Sequence, residues 1–220
     1  MANSLEKVIH KPVVTAFHWL WWRSGETWQK NTFLGYPIQQ LPLDLQLYQE
    51  MIYRERPAFI VQTGVACGGS ILYFAMLLDM IHAPAESLVI GIDISLSDRA
   101  KTLRHPRIRL LEGDSVAGNI VAQVERFVPD TGGMVVLDSD HSKKHVLKEL
   151  DAYHHLVAVG KHLVVEDTDF GFPVNNAFGA GPGEAVAEFI PKHEQFVRDD
   201  QIWRRNFFSF HQGGWLLRVH

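Results

Sequence analysis

A single cysteine, Cys67, stands among 220 residues, which excludes an internal disulfide and fits a reducing, cytoplasmic setting. Basic charge is not in surplus. The 21 Lys and Arg against 25 Asp and Glu leave a net charge of -4, which argues against a nucleic-acid partner. No uninterrupted apolar run approaches the ~20 residues that a membrane-spanning helix needs. The apolar stretch from Val13 to Trp22 is short and Trp-rich, and lacks the small-residue cleavage pattern of a secretory signal. A G-x-G-x-x-G run is also missing, which disfavours NAD. Neither an internal repeat nor a low-complexity segment is visible. What remains is ordinary for a globular protein: 46% hydrophobic residues, in a chain long enough for one full core.

Strand-like and helix-like runs alternate from Pro42 onward. Pro42 opens a helix over 43–55, with apolar residues at Leu43, Leu47, Met51 and Ile52. Strands are expected at 58–62, 88–93, 108–112, 133–137 and 162–165, with helices at 71–82, 116–127 and 143–156 between them. A Gly/Pro/Asn-rich loop spans 170–183, and a helix follows at 184–189. The tail reads as strands at 195–197, 206–210 and 215–219, with Gly213-Gly214 as a tight turn. Such alternation predicts an α/β fold, a mostly parallel doubly wound sheet with an antiparallel C-terminal edge. Residues 1–41 read as a Trp-rich, partly helical extension on a domain of residues 42–220. Trp19, Trp21 and Trp22 are expected to pack on the domain or on a second subunit.

Ligands of such sheets sit at the carboxyl ends of the strands, and the polar signals gather there. The first strand runs into Thr63-Gly64 and Gly68-Gly69-Ser70. A glycine turn of this kind lets backbone approach a ligand, and the helix start offers free N–H groups. The next strand ends in Asp93, placed to accept hydrogen bonds from a ribose. Similar turns occur in α/β proteins with no cofactor; the acid after the second strand favours the nucleotide-type site. The fourth strand ends in Asp138-Ser139-Asp140-His141 and the fifth in Glu166-Asp167. Acids packed this closely repel one another unless protonated or bridged by a cation. Hard oxygen donors point to Mg²⁺, with Mn²⁺ or Ca²⁺ as alternatives. The same acids, if merely solvated, would cap the next helix, as Asp140 and Ser142 can for the one starting at Lys143. His141 is a candidate general base. His145, His154, His155 and His162 read as helix-face or structural residues.

These blocks, together with Arg56-Pro57, His105-Pro106-Arg107-Ile108, Gly113-Asp114-Ser115 and Gly181-Pro182-Gly183-Glu184-Ala185-Val186, carry a resemblance. The chain resembles class I S-adenosylmethionine-dependent methyltransferases. More narrowly, it resembles the family named after cephalosporin hydroxylase, with the macrolide and rhamnosyl O-methyltransferases. The resemblance implies a Rossmann-like fold with S-adenosylmethionine in the glycine crevice. It implies Asp93 on the ribose, Asp114 and Ser115 near the adenine, and Asp138, Glu166 and Asp167 on a divalent metal. Asp140 is the alternative ligand. A metal-held acceptor hydroxyl of a sugar, phenol or other natural product would then attack the methyl group, with His141 taking the proton. Two positions depart from the family. Gln62 stands where Glu is usual, at the cofactor's amino end, and Gln39-Gln40 precede Pro42 where a basic residue is frequent. A hydroxylase or oxidoreductase, and a non-catalytic cofactor-binding subunit, are the rival readings. An aromatic N-terminal arm points to a homo-oligomer.

Overall fold

The computed structural model describes residues 4–129, 132–169 and 179–220. Its first element is a 20-residue helix, α1 (Ser4–Arg23), followed by a two-stranded hairpin of β1 (Thr32–Phe33) and β2 (Tyr36–Pro37). Helix α2 (Pro42–Glu55) starts on its proline, whose missing N–H costs nothing at that position. Then come β3 (Phe59–Thr63), α3 (Gly69–Met80), β4 (Leu88–Asp93), β5 (Ile108–Glu112) and α4 (Gly118–Phe127). The chain continues through β6 (Met134–Leu137), α5 (Lys143–Tyr153), β7 (His162–Val165) and α6 (Pro182–Phe189). It closes with β8 (Phe196–Arg198), α7 (Gln201–Arg204) and β9 (Trp215–Arg218).

Seven strands form one sheet in the order β5-β4-β3-β6-β7-β9-β8. The first five are parallel, and β9 runs antiparallel to both β7 and β8. Strands β3, β6 and β7 are buried at every position, as apolar runs covered on both faces should be. One core layer packs α4, α5 and α6 on the sheet through Val124, Leu150 and Phe189. The other packs α2 and α3 through Leu47, Met51 and Phe74. The chain reverses its winding between β3 and β6, and ligands of open sheets bind at such a point.

Several expected elements changed. The helix expected at 71–82 begins two residues earlier, directly at the glycine turn, and the one expected at 116–127 begins at Gly118. The helix expected at 143–156 ends at Tyr153 and tightens into a 3-10 turn over His154–Leu156. Residues 206–210 are not a strand. Phe208 and Phe210 are buried there because they pack on Val14, Trp21 and Trp22 of α1, and the Phe210 N–H is taken by the Asp44 carboxylate at 3.0 Å. Their alternation reflects docking on a helix rather than a sheet ladder. Most of the loop expected at 170–183 lies outside the described residues.

Candidate active site at the carboxyl ends of the strands

Gly64 follows β3 and holds the left-handed φ of +79°. A Cβ there would meet the Asp138 carbonyl oxygen at 1.8 Å, so only glycine lets the ends of β3 and β6 approach. The turn is braced from β4. Asp93 Oδ2 accepts the Val65 and Ala66 N–H groups at 2.8 and 3.0 Å, and its Oδ1 accepts the Ser95 N–H at 3.0 Å. Thr63 is fully buried; its hydroxyl accepts the Asp138 N–H at 3.3 Å and so pins the end of β6. Gln62, also buried, donates to the Gly64 carbonyl at 2.7 Å and to Ser70 Oγ at 2.8 Å. Its carbonyl oxygen has no partner among the described residues.

A cavity of about 700 Å³ opens above these turns, a size suited to a nucleoside-bearing ligand. Nine of the residues expected at the site line it: Gly64, Gly69, Ser70, Asp93, Asp114, Ser115, Asp138, His141 and Asp167. Thr63, Gly68 and Glu166 do not; they stand behind the wall. Gly68 caps α3 in the left-handed conformation, pressed against Leu103.

At one end of the cavity the acids meet. Asp138, His141 and Asp167 each place one ligand atom within 4.8 Å of the others, and His141 Nε2 lies 3.6 Å from Asp167 Oδ2. Asp167 itself holds a left-handed φ of +52°, a strained conformation for this residue. Its N–H donates to Nδ1 of the buried His211 at 3.0 Å. Burial pushes the His211 imidazole down to about 3, so that nitrogen stays an acceptor. Glu166 is turned toward α2, where Tyr48 Oη donates to it at 2.6 Å and Gln40 donates to its other oxygen. Burial first, then the neighbouring carboxylates, raises the pKa of Asp138, and burial with the Asp167 charge raises that of Glu166. Asp167 is raised by burial, against the pull of His141 and His18. Asp140 is exposed and turned to the backbone; its carboxylate accepts the Ser142 N–H at 2.7 Å, and this bond lowers its pKa.

Sequence reasoning missed several residues. Tyr48 lies more than 100 residues from Glu166, and so does Gln40, which was noted as a departure from the family but not as a partner of that acid. Trp28 and Phe210 join Trp22 as an aromatic wall, with Trp22 stacked on Phe210 at 5.6 Å and edge-on to Trp28 at 5.1 Å. The tryptophan-rich composition of the N-terminal segment was the visible signal, but Trp19 faces outward, 48% exposed. His145, read as a helix-face residue, reaches the cavity and lies 3.0 Å from Ser115 Oγ.

The chain is similar to known proteins in sequence and in fold. A family model described as Rhamnosyl O-methyltransferase/CmcI matches residues 25–219. The rhamnosyl O-methyltransferase of Mycobacterium leprae (strain TN) is 32% identical over 225 residues, covering 99% of this chain and 97% of that one. That of Mycobacterium tuberculosis is 33% identical over 227 residues, with 99% and 91% coverage. Among solved structures, a Mg–SAM complex of CmcI superposes with a TM-score of 0.66 at 21% identity, over 87% of this chain and 78% of that one. The O-methyltransferase NovP gives 0.59 at 15% identity over 98% of both chains. The fold is thus that of the Rossmann-like methyltransferases, and the chain belongs to the rhamnosyl O-methyltransferase/CmcI family.

Proposed function

We propose that this protein transfers a methyl group from S-adenosylmethionine to a hydroxyl of a sugar, phenol or other natural product, with Mg²⁺ or another divalent cation at the strand ends. The carrying observation is one cavity with the glycine turn, Asp93, Asp114 and Ser115 along it and the half-buried Asp138, His141 and Asp167 clustered at its end. The names of the mycobacterial relatives support the O-methyl chemistry, and the Mg–SAM complex of CmcI supports both bound groups.

The residues fit those groups. Asp138, Asp167 and the adjoining Glu166 offer hard oxygen donors, as Mg²⁺ prefers. Burial and mutual repulsion raise the pKa values of Asp138 and Glu166, so a cation bridging the cluster would relieve both. The free Gln62 carbonyl is an acceptor for the amino group of S-adenosylmethionine. When bound, the cation supplies the Lewis acidity that lowers the pKa of an acceptor hydroxyl. The chain's own residues do the rest. Asp93 keeps the glycine turn in shape, and its one remaining lone pair, on Oδ1, is available to a ribose. His141 takes the acceptor's proton on its imidazole nitrogen. Trp22, Trp28 and Phe210 exclude water and offer the acceptor a flat apolar wall. Residues 1–41 act as a cap on the methyltransferase domain of residues 42–220.

We also read the outer face of α1 as the place where a second copy pairs. Ile9, Val13, Ala16 and Leu20 are exposed there at four-three-four spacing, the pattern of a helix–helix seam.

Calorimetry with S-adenosylmethionine, with and without Mg²⁺ and with NAD as the control, tests the cofactor. Binding of the first and not of NAD is expected; no binding under either condition would sink the reading. Asp138→Ala or Glu166→Ala should then abolish turnover on hydroxylated acceptors with folding intact. Retained function would instead support a cofactor-binding subunit without catalysis.

A further inference from the structure

Glu149 lies in the middle of α5 and is fully buried. Its Oε1 accepts two hydroxyl protons, from Ser115 Oγ at 2.5 Å and from Ser139 Oγ at 2.6 Å. The two serines come from different strand ends, after β5 and after β6, and both line the cavity. The second oxygen of Glu149 has no partner among the described residues. A buried carboxylate is costly, and nothing in the packing of α5 on the sheet calls for one.

A serine hydroxyl has one proton and two lone pairs, while a carboxylate can only accept. With both protons committed to Glu149, the serines have only lone pairs left for a ligand. His145 Nε2 lies 3.0 Å from Ser115 Oγ and 3.4 Å from Glu149 Oε1, so its proton is shared between one Ser115 lone pair and the same carboxylate oxygen, since Ser115 has no second proton to give. Ser139 keeps both of its own for the cavity. We infer that Glu149 is a positioning residue that sets the hydrogen-bond polarity of this wall. Through Ser115 and Ser139 it selects a ligand that presents N–H groups, an amino-purine, over one that presents a carbonyl oxygen. An oxo group at that position would set lone pair against lone pair, and a site built for a donor rejects such an analogue. The inference rests on the cofactor reading above, because it takes the adenine end of the ligand to lie against these serines.

The test compares S-adenosylhomocysteine with S-inosylhomocysteine, in which an oxo group replaces the purine amino group, by calorimetry without any turnover. Wild type should bind the adenosyl compound about 10-fold or more tightly, as expected for one buried hydrogen bond. Glu149→Met frees both serine protons, so the preference should fall to near one. Glu149→Gln keeps a carbonyl acceptor and should keep the preference. Ser139→Ala acts at the wall itself and should weaken the adenosyl compound alone, which guards against a Glu149→Met chain that fails to fold. Equal binding of the two compounds by wild type would overturn the proposal, as would an undiminished preference in Ser139→Ala or in folded Glu149→Met. Wild type that binds neither compound would remove the cofactor reading, and this proposal with it; binding without preference removes the proposal alone.

Discussion

Asp138, Glu166 and Asp167 meet where two neighbouring parallel strands end, and each has its pKa raised, first by burial. The ordinary values are 3.8 for Asp and 4.5 for Glu. Above them the unfolded chain has lost its protons while the folded chain retains some. Stability from this cluster is therefore greatest near those values and falls as pH rises through the raised ones. A cation that replaces the protons reverses the loss, so the rise in melting temperature caused by Mg²⁺ should grow from pH 6 to pH 8. Asp138→Asn should raise the melting temperature of the metal-free protein at pH 8 by about 2–4 °C, on the order of 1 kcal/mol at this size. The same change should cancel the Mg²⁺ effect. Thermal scans at both pH values check both outcomes, and a metal-free variant less stable than wild type at pH 8 would contradict the account. At this scale the sequence was legible at the strand ends, since Asp93, Asp114 and Asp138, which line the cavity, each follow an apolar run. Glu149 was not, because a glutamate in mid-helix looks like a solvent-facing residue until its neighbours are known. Tyr48 escaped for a similar reason: only the packing of α2 under the sheet brings it, and Gln40 just before that helix, to Glu166.

Among the elements, the end of α2, the start of β7 and the segment after β8 are joined through one side chain. His162 places Nδ1 2.6 Å from Glu55 Oε1 and Nε2 3.3 Å from Asp199 Oδ2, and it is 1% exposed. Burial would lower its pKa, but the hydrogen bonds to Asp199 and Glu55, with their charges, carry it above the ordinary 6.5. The charged form is thus favoured in the folded state. Its contribution is complete below pH 6.5 and is lost as pH rises through the raised value. His162→Gln should cost about 1–2 kcal/mol at pH 5.5 and progressively less toward pH 8, measured by urea melts across that range. A pH-independent cost would show that the imidazole stays neutral. The strands at 88–93, 108–112 and 162–165 could be read to the residue because buried parallel strands are unbroken apolar runs between punctuating turns. Residues 206–210 carried the same signal for another cause, since two phenylalanines facing a tryptophan helix alternate much as a strand would.

For the whole molecule, α1 is apolar on two faces. Val14 and His18 are buried against the domain, while Val13 and Leu20 on the outside are 60% and 59% exposed. Paired antiparallel about a two-fold axis, Ile9 would meet Leu20 of the second copy and Val13 would meet its Ala16, a self-complementary apolar match. Wild type is expected to run as a dimer or a larger assembly in light scattering. Leu20→Glu should shift it to monomer without loss of melting cooperativity; a wild-type monomer at tens of micromolar would discard the pairing. The sequence showed that this segment was aromatic, but helical periodicity alone did not separate its inner face from its outer one. No helix among the described residues is long and apolar enough to cross a membrane.

The position of β9 has a bearing on biosynthesis. It is made after β8 yet lies between β7 and β8, hydrogen-bonded to both. Until Trp215–Arg218 leaves the ribosome, β8 has nothing to pair with and the outer flank of β7 is bare. A message truncated just upstream of Trp215 would therefore yield a chain with two unsatisfied strand edges instead of one shortened terminus. Such edges recruit other chains, so late nonsense or frameshift products should be found in aggregates rather than as soluble, merely inactive protein.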